Sequence, residues 1–204
     1  MNERDMTLIR YVRYILLSFL CVMQISQPAF CENPAEVTSA KNKLDTLGRE
    51  AIDSLAVKGL AGTELHAKFI ELYKGNFAQT KIASLILTTH WNGMSDGQKN
   101  RFLKILPKKL ANIYSSKFKE YEGVNFKIGR GWFNNAKTKT VVVESTVKKP
   151  GGQALKVNWY FTSENKIYDI VVEGVSMVKT FRDEYQSALS SNNDIESFLN
   201  SLDK

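Results

Sequence analysis

The sequence predicts an α+β domain in which a helical half precedes an antiparallel sheet. Between Ala35 and about Tyr121, apolar residues recur at the spacing of a helix with one buried side. After Gly123 they alternate with polar residues, as they do on half-buried strands. Four such strands joined by short turns form a meander that must bury one face, and the helical half is the available cover.

The first 31 residues have the three regions of an export signal. Arginines precede the apolar run Ile15–Ile25, which is shorter than the roughly 20 residues that a membrane-spanning helix needs. Ala29 and Cys31 occupy the small-residue positions before a cleavage site. We expect cleavage after Cys31 and export. A retained anchor and a lipoprotein signal at Cys31 are the alternatives. Residues 32–204 would then form a single domain without cysteines.

In the helical half, two stretches carry a continuous apolar side. The first ends before Gly93, and the second restarts with Ser95 as its N-cap. Pro107 lies inside the second pattern and predicts a kink or two abutting helices near Leu106, because proline removes a backbone donor. The residues expected to form a helical wall are Phe69, Leu72, Leu85, Phe102, Leu106 and Leu110.

The strand half is predicted from four segments, which in order are VNFKIG, TVVVESTVKK, ALKVNWYF and KIYDIVVEG. Hairpin turns are expected at Lys149–Gln153 and Ser163–Asn165. A helix from Ser176 to about Ser190 and a short terminal element then end the chain. The residues expected to form a sheet wall opposite the helices are Val141, Val143, Val157, Trp159 and Phe161.

The segment YDIVVEGVSMV brings two carboxylates and a hydroxyl close together near the end of the chain. Strand alternation places Asp169 and Glu173 on the same face. Gly174 marks the end of the strand, and Ser176 is well placed to cap the helix that follows. We interpret these four residues as a turn that fixes the junction between strand and helix.

Recognisable catalytic or metal-binding motifs do not occur in the sequence. His66 and His90 lie far apart, and neither belongs to a zinc-binding spacing. The sequence also lacks a G-x-S-x-G elbow, a phosphate-binding loop and a dinucleotide fingerprint. We therefore expect no enzymatic activity, no cofactor and no metal, although a hydrolase that uses Ser176 or His66 stays an alternative.

The chain is basic, with a formal charge of +7, of which residues 32–204 contribute +6. An exported basic protein is expected to meet anionic lipid headgroups, nucleic acid or acidic polymers. Nucleic-acid binding would favour exposed aromatic residues between the charges, but here the aromatics lie on the apolar side, so we expect no nucleic acid. The densest run of basic residues comprises Lys99, Arg101, Lys104, Lys108, Lys109, Lys117 and Lys119.

Two long segments resemble the MlaC family, the toluene-tolerance auxiliary proteins. They are FIELYKGNFAQTKIASLILTTHWNGMSDGQKNRFLKIL, with a tryptophan before S-x-x-Q-x-x-R-F, and YDIVVEGVSMVKTFRDEYQSALSSNNDIESFLNSL, with D-I-x-V-E-G-V-S. The resemblance covers about Phe69–Leu202. It implies a twisted antiparallel sheet of about four strands in a nuclear-transport-factor-like roll, wrapped by N-terminal helices and one C-terminal helix.

The resemblance also implies a periplasmic carrier that holds a phospholipid by its acyl tails. Such a carrier would shuttle lipid between an inner-membrane ABC transporter and an outer-membrane lipoprotein complex, and so maintain outer-membrane lipid asymmetry. We expect a monomer whose pocket lies between the helical and sheet walls, with the turn of Asp169, Glu173, Gly174 and Ser176 near its mouth. Sheltering two chains, on the order of 30 methylenes, needs a deep apolar pocket. Another lipid, such as a hopanoid, is the alternative cargo.

Overall fold

The computed structural model describes residues 34–56, 62–135, 137–192 and 194–203, apart from the side chain of Lys119. The chain divides into two compact units, Met1–Glu32 and Asn33–Lys204, and all of the described residues belong to the second. The predicted export signal of residues 1–31 and its cleavage point lie outside the described residues.

The sheet contains five antiparallel strands that are neighbours in the order of the chain. They are β1 Asn125–Asn135, β2 Thr140–Lys148, β3 Ala154–Phe161, β4 Ile167–Val172 and β5 Val175–Ser176. Because each consecutive pair is joined by a short turn, the sheet is a meander. The predicted α+β fold with an antiparallel sheet is therefore confirmed, and β5 is an addition to the expected four strands.

The fifth strand exists because Glu173 and Gly174 form a two-residue turn. Their φ angles are 48° and 84°, and positive φ at both positions is what the tightest hairpin connections require. The turn folds the chain back so that Val175 pairs with Val172. The prediction that Glu173 shares a strand face with Asp169 is therefore wrong, since Glu173 lies in the turn and not on β4.

Seven α-helices and one 3₁₀ helix occur in the described part of the chain. They are α1 Ala35–Leu55, α2 Gly62–Asn76, α3 Gln79–Leu87, α4 Thr89–Gly93, α5 Asp96–Tyr114, the 3₁₀ helix η1 Ser115–Tyr121, α6 Met177–Ser190 and α7 Ile195–Leu202. Within the described residues, none of these helices combines the length and the apolar character that crossing a lipid bilayer would require.

Helix α5 has a capping box at its N-terminus and a proline in its interior. The Gln98 N–H donates to Ser95 Oγ (3.3 Å), and the Ser95 N–H donates to Gln98 Oε1 (3.0 Å), so the predicted cap is a complete capping box. The prediction at Pro107 is a kink or two abutting helices, and the second alternative is wrong, because α5 runs without interruption through Pro107. Pro107 is buried with Leu106 and Leu110, and this packing offsets the hydrogen bond that proline cannot make.

The described residues form two large hydrophobic cores. One lies among α3 to α7 and includes Phe102 and Phe198. The other lies between α1 and one face of the sheet. At Gly131 of β1 a Cβ atom would lie 2.7 Å from Val37 Cγ1, so the absence of a side chain lets α1 pack closely on the sheet.

Candidate functional site

An apolar cavity of about 540 Å³ lies between the helices and one face of the sheet. This volume falls within the range of ordinary small-molecule sites. Its wall, which we call the cavity wall, receives residues from α1, α2, α3, α5, η1, the sheet and the start of α6. Most of these residues are aliphatic or aromatic, so the cavity suits a ligand with long apolar groups.

Six of the eleven predicted wall residues line the cavity. They are Phe69, Leu72, Leu106, Leu110, Val157 and Trp159. The prediction therefore identified parts of α2, α5 and β3 that face the cavity.

The other five lie in the solid cores and not in the cavity wall. They are Leu85, Phe102, Val141, Val143 and Phe161. The two valines and Phe161 are on the expected sheet face, but α1 packs directly on that part of the sheet and leaves no space. Phe102 packs against the rings of Tyr185 (centroids 5.9 Å apart) and Phe198 (6.4 Å).

Helix α1 contributes a side of the cavity wall that the sequence analysis missed. The residues involved are Leu44, Leu47, Gly48, Ala51, Ile52 and Leu55. Their spacing of three and four residues is the signal that identifies one side of a helix. Gly48 lets β1 approach α1 closely, because a Cβ atom at this position would clash with the ring of Phe126.

The indole of Trp159 is anchored from behind the cavity wall. Its Nε1–H donates to Ser145 Oγ at 2.8 Å, and Ser145 is fully buried. This hydrogen bond satisfies the only polar atom of the indole. The ring can therefore present carbon atoms to the cavity without leaving a donor unpaired.

Asp169 is the one carboxylate in the described cavity wall. Both of its oxygens accept hydrogen bonds from other groups of the protein. Asp169 Oδ1 accepts from the backbone N–H of Val178 (3.0 Å) and of Ile170 (2.8 Å), and Oδ2 accepts from Ser176 Oγ–H (2.6 Å). Ser176 Oγ in turn accepts from Lys179 N–H (3.0 Å), as an N-cap does. The carboxylate thus ties β4 to the start of α6.

The remaining turn residues, Glu173 and Gly174, lie outside the cavity wall. The carboxylate of Glu173 accepts from the backbone N–H of Lys156, and the N–H of Glu173 donates to Lys156 O at 3.0 Å. Glu173 therefore fastens the turn to the beginning of β3, next to Leu155 of the cavity wall. In the same segment, Ser176 is already engaged as both donor and acceptor.

The cavity wall reaches solvent at Lys117, and we call the surroundings of this residue the mouth. Lys117 of η1 is the only exposed residue of the described wall, and Tyr121 beside it is partly exposed. Val147 and Leu155, which pair with each other next to the β2–β3 turn, are also partly exposed. A salt bridge from Lys149 of that turn to η1 joins the two sides of the mouth.

Burial disfavours ionisation of three phenol groups in the cavity wall. Burial raises the pKa of Tyr73, which lines the cavity and whose hydroxyl has no hydrogen-bond partner among the described residues. Burial also raises the pKa of Tyr114 and Tyr168 above the ordinary value. In the part of the chain that the structure describes, no cluster of three or more His, Cys, Asp or Glu side chains is placed to hold a metal ion.

The comparisons with known proteins agree with this geometry. Residues 48–204 match the family model described as MlaC protein. A similar solved structure is that of a phospholipid-binding protein from Ralstonia solanacearum, determined in complex with a phospholipid. It is 18% identical, with a TM-score of 0.65 over 80% of this chain and 94% of that chain, and it therefore supports the fold. No curated protein matches the sequence.

Proposed function

This chain belongs to the MlaC family, and on that premise we propose that it is a periplasmic phospholipid carrier. In this proposal the cavity takes up acyl chains, and the protein passes lipid between an inner-membrane ABC transporter complex and an outer-membrane lipoprotein complex. The transfer would maintain the lipid asymmetry of the outer membrane. Family membership and the phospholipid-bound structural relative both support lipid binding.

The observation that carries the proposal is the chemistry of the cavity wall. Aliphatic and aromatic side chains surround about 540 Å³ of space, and the polar atoms of Trp159 and Asp169 are bonded to the protein. A ligand held there gains free energy mainly by leaving water, at about 0.8 kcal/mol for each methylene. This is the type of binding that suits an acyl chain.

The volume sets how much of a lipid fits in this conformation. At roughly 30 Å³ for a group of about the size of water, 540 Å³ holds about 18 methylene-sized groups. That number corresponds to one acyl chain of ordinary length and to about 14 kcal/mol of transfer free energy before the costs of binding. A second chain would need a similar volume again.

We assign the acyl-chain contacts to residues that face the cavity. They include the six predicted residues Phe69, Leu72, Leu106, Leu110, Val157 and Trp159, together with the α1 residues Leu44, Leu47, Ala51 and Leu55. Asp169 and Ser176 have a supporting role, because their hydrogen bonds fix the start of α6, which closes one side of the cavity.

Export completes the proposal. We propose that residues 1–31 direct secretion and are removed after Cys31, leaving a basic mature chain in the periplasm. Sequencing of the N-terminus of the protein recovered from the periplasm tests this step and is expected to begin at Glu32. An N-terminus at Met1 would show that the signal is retained.

The experiment that tests the carrier function is native mass spectrometry of the exported protein, with extraction and identification of its lipids. We expect about one phospholipid for each protein. A polycyclic or isoprenoid lipid in its place would change the cargo but keep the carrier. A protein that is empty when purified and takes no lipid from phospholipid vesicles would refute lipid carriage. Cells without the protein should accumulate phospholipid in the outer leaflet of the outer membrane.

A further inference from the structure

The mouth of the cavity carries the ammonium group of Lys117. Lys117 is exposed, lines the cavity, and holds its Nζ 5.3 Å from the centre of the Tyr114 ring, which also belongs to the cavity wall. Among the described residues, no salt bridge includes Lys117. Its ammonium group therefore lies at the mouth, where a lipid whose chain occupies the cavity would place its headgroup.

A second lysine lies over another tyrosine ring of the cavity wall. Lys149 Nζ lies 4.4 Å from the centre of the Tyr121 ring, and Tyr121 also belongs to the cavity wall. Lys149 differs in forming a 2.6 Å salt bridge with Glu120. The hydrogen bond and charge of Lys149 lower the pKa of Glu120, and the charge of Lys117 adds to this effect without a hydrogen bond. Lys117 is thus the ammonium of the pair that stays available to an anion.

The hydrogen bonds of Asp169 do not involve Lys117. Both of its oxygens accept hydrogen bonds from the protein, including the Val178 N–H at the start of α6. Lys117 is the one cationic residue of the described cavity wall.

We propose that Lys117 selects the headgroup, favouring glycerophospholipids with a net negative headgroup over zwitterionic ones. This inference rests on the proposed function, since it places the acyl chain in the cavity. Both lipid classes carry a phosphate that Lys117 can contact. A zwitterionic headgroup also carries an ammonium group, which Lys117 repels. One lysine near a lipid surface corresponds to about 1 kcal/mol, or about a fivefold preference.

The test offers the delipidated protein vesicles that contain equal amounts of phosphatidylglycerol and phosphatidylcholine with identical chains. The protein is then separated from the vesicles, and its bound lipids are quantified by mass spectrometry. Attraction of the whole protein to the membrane affects both lipids equally, because they share one vesicle. The ratio of the bound lipids therefore reports the headgroup preference alone.

We expect about a fivefold excess of bound phosphatidylglycerol for the unmodified protein and a ratio near one for Lys117→Gln. Lys104→Gln is the matched control, because Lys104 is an exposed lysine of α5 about 15 Å along the helix from Tyr114. This control should keep the preference. Raising the salt concentration from about 0.1 M to about 1 M should reduce it, since exposed charges are screened.

The outcomes separate this inference from the proposed function. A bound-lipid ratio near one in the unmodified protein, or a preference that survives Lys117→Gln, would overturn the role of Lys117 while leaving the carrier intact. Equal loss of preference in Lys104→Gln would attribute the effect to overall charge and would also overturn it. Absence of both lipids from the unmodified protein would instead refute the carrier function.

Discussion

Phenylalanine in place of valine should have opposite consequences at two positions on the same sheet face. Val157 of β3 lines the cavity, whereas Val141 of β2 is 2% exposed in the core beneath α1. At Val157 the larger ring extends into open space. At Val141 it has no space to enter. We therefore expect Val157→Phe to fold normally and bind lipid poorly, and Val141→Phe to lose stability while its folded fraction still binds lipid.

The sizes of the two effects follow from the packing. Phenylalanine adds about four carbon atoms, which occupy about 120 Å³ at roughly 30 Å³ each. Displacing about four methylenes of an acyl chain costs about 3 kcal/mol of binding free energy, which raises Kd on the order of 100-fold. Overpacking at Val141 should lower the free energy of unfolding by about 1–3 kcal/mol.

Two measurements on delipidated protein separate these effects. Urea unfolding, followed by tryptophan fluorescence, gives the free energy of unfolding of each variant. Titration with a fluorescent fatty-acyl probe gives the Kd. The reasoning is refuted if Val157→Phe binds the probe as tightly as the unmodified protein, or if both variants lose the same amount of folding free energy.

Three further substitutions test the groups that support the cavity wall. Ser145→Ala should lower the free energy of unfolding by about 1–3 kcal/mol, because it leaves the Trp159 N–H buried without a partner; an unchanged urea midpoint would contradict this. Asp169→Asn removes the charged acceptor of the Val178 N–H and should cost a similar amount, about 1–3 kcal/mol, in thermal unfolding, with unaltered stability as the contrary result. Tyr73→Phe should stabilise the fold by about 1 kcal/mol, because the tyrosine hydroxyl is buried without a partner. Since burial raises the pKa of Tyr73, the unmodified protein should lose stability as pH rises above about 10, and Tyr73→Phe should lose less; equal losses in urea titrations at several pH values would refute this.

The fold could be predicted from the sequence because its connections are local. Alternating segments joined by short turns leave few alternatives to a meander, and helical spacing identifies the cover. The fifth strand was missed because Gly174 alone suggested the end of a strand. The turn also needs a positive φ at Glu173, a conformation that a glutamate adopts only when its neighbours hold it. Here its carboxylate and its N–H are both bonded to Lys156.

The cavity could be predicted only in part, because alternation identifies a face of the sheet but not what covers it. Val143 and Trp159 are paired neighbours on one face, yet α1 packs on the first and the cavity lies against the second. This difference depends on where α1 ends its close contact with the sheet. Gly131 allows that contact at one end, and Gly48 lets Phe126 approach at the other. The alternation of apolar and polar residues does not predict either of these close approaches.

The polar side-chain atoms of Trp159 and Asp169 in the cavity wall form hydrogen bonds within the protein, and this affects how a lipid carrier could release its cargo. The indole N–H of Trp159 is bonded to Ser145, and the carboxylate of Asp169 is bonded to the start of α6. An acyl chain in the cavity therefore breaks no strong hydrogen bond when it leaves, and its departure costs mainly the exposure of apolar surface. That cost falls wherever another apolar surface receives the chain as it emerges. Under the proposed function, such a cavity would hold lipid firmly in water and release it at the mouth to a membrane or to a partner that offers an equally apolar path.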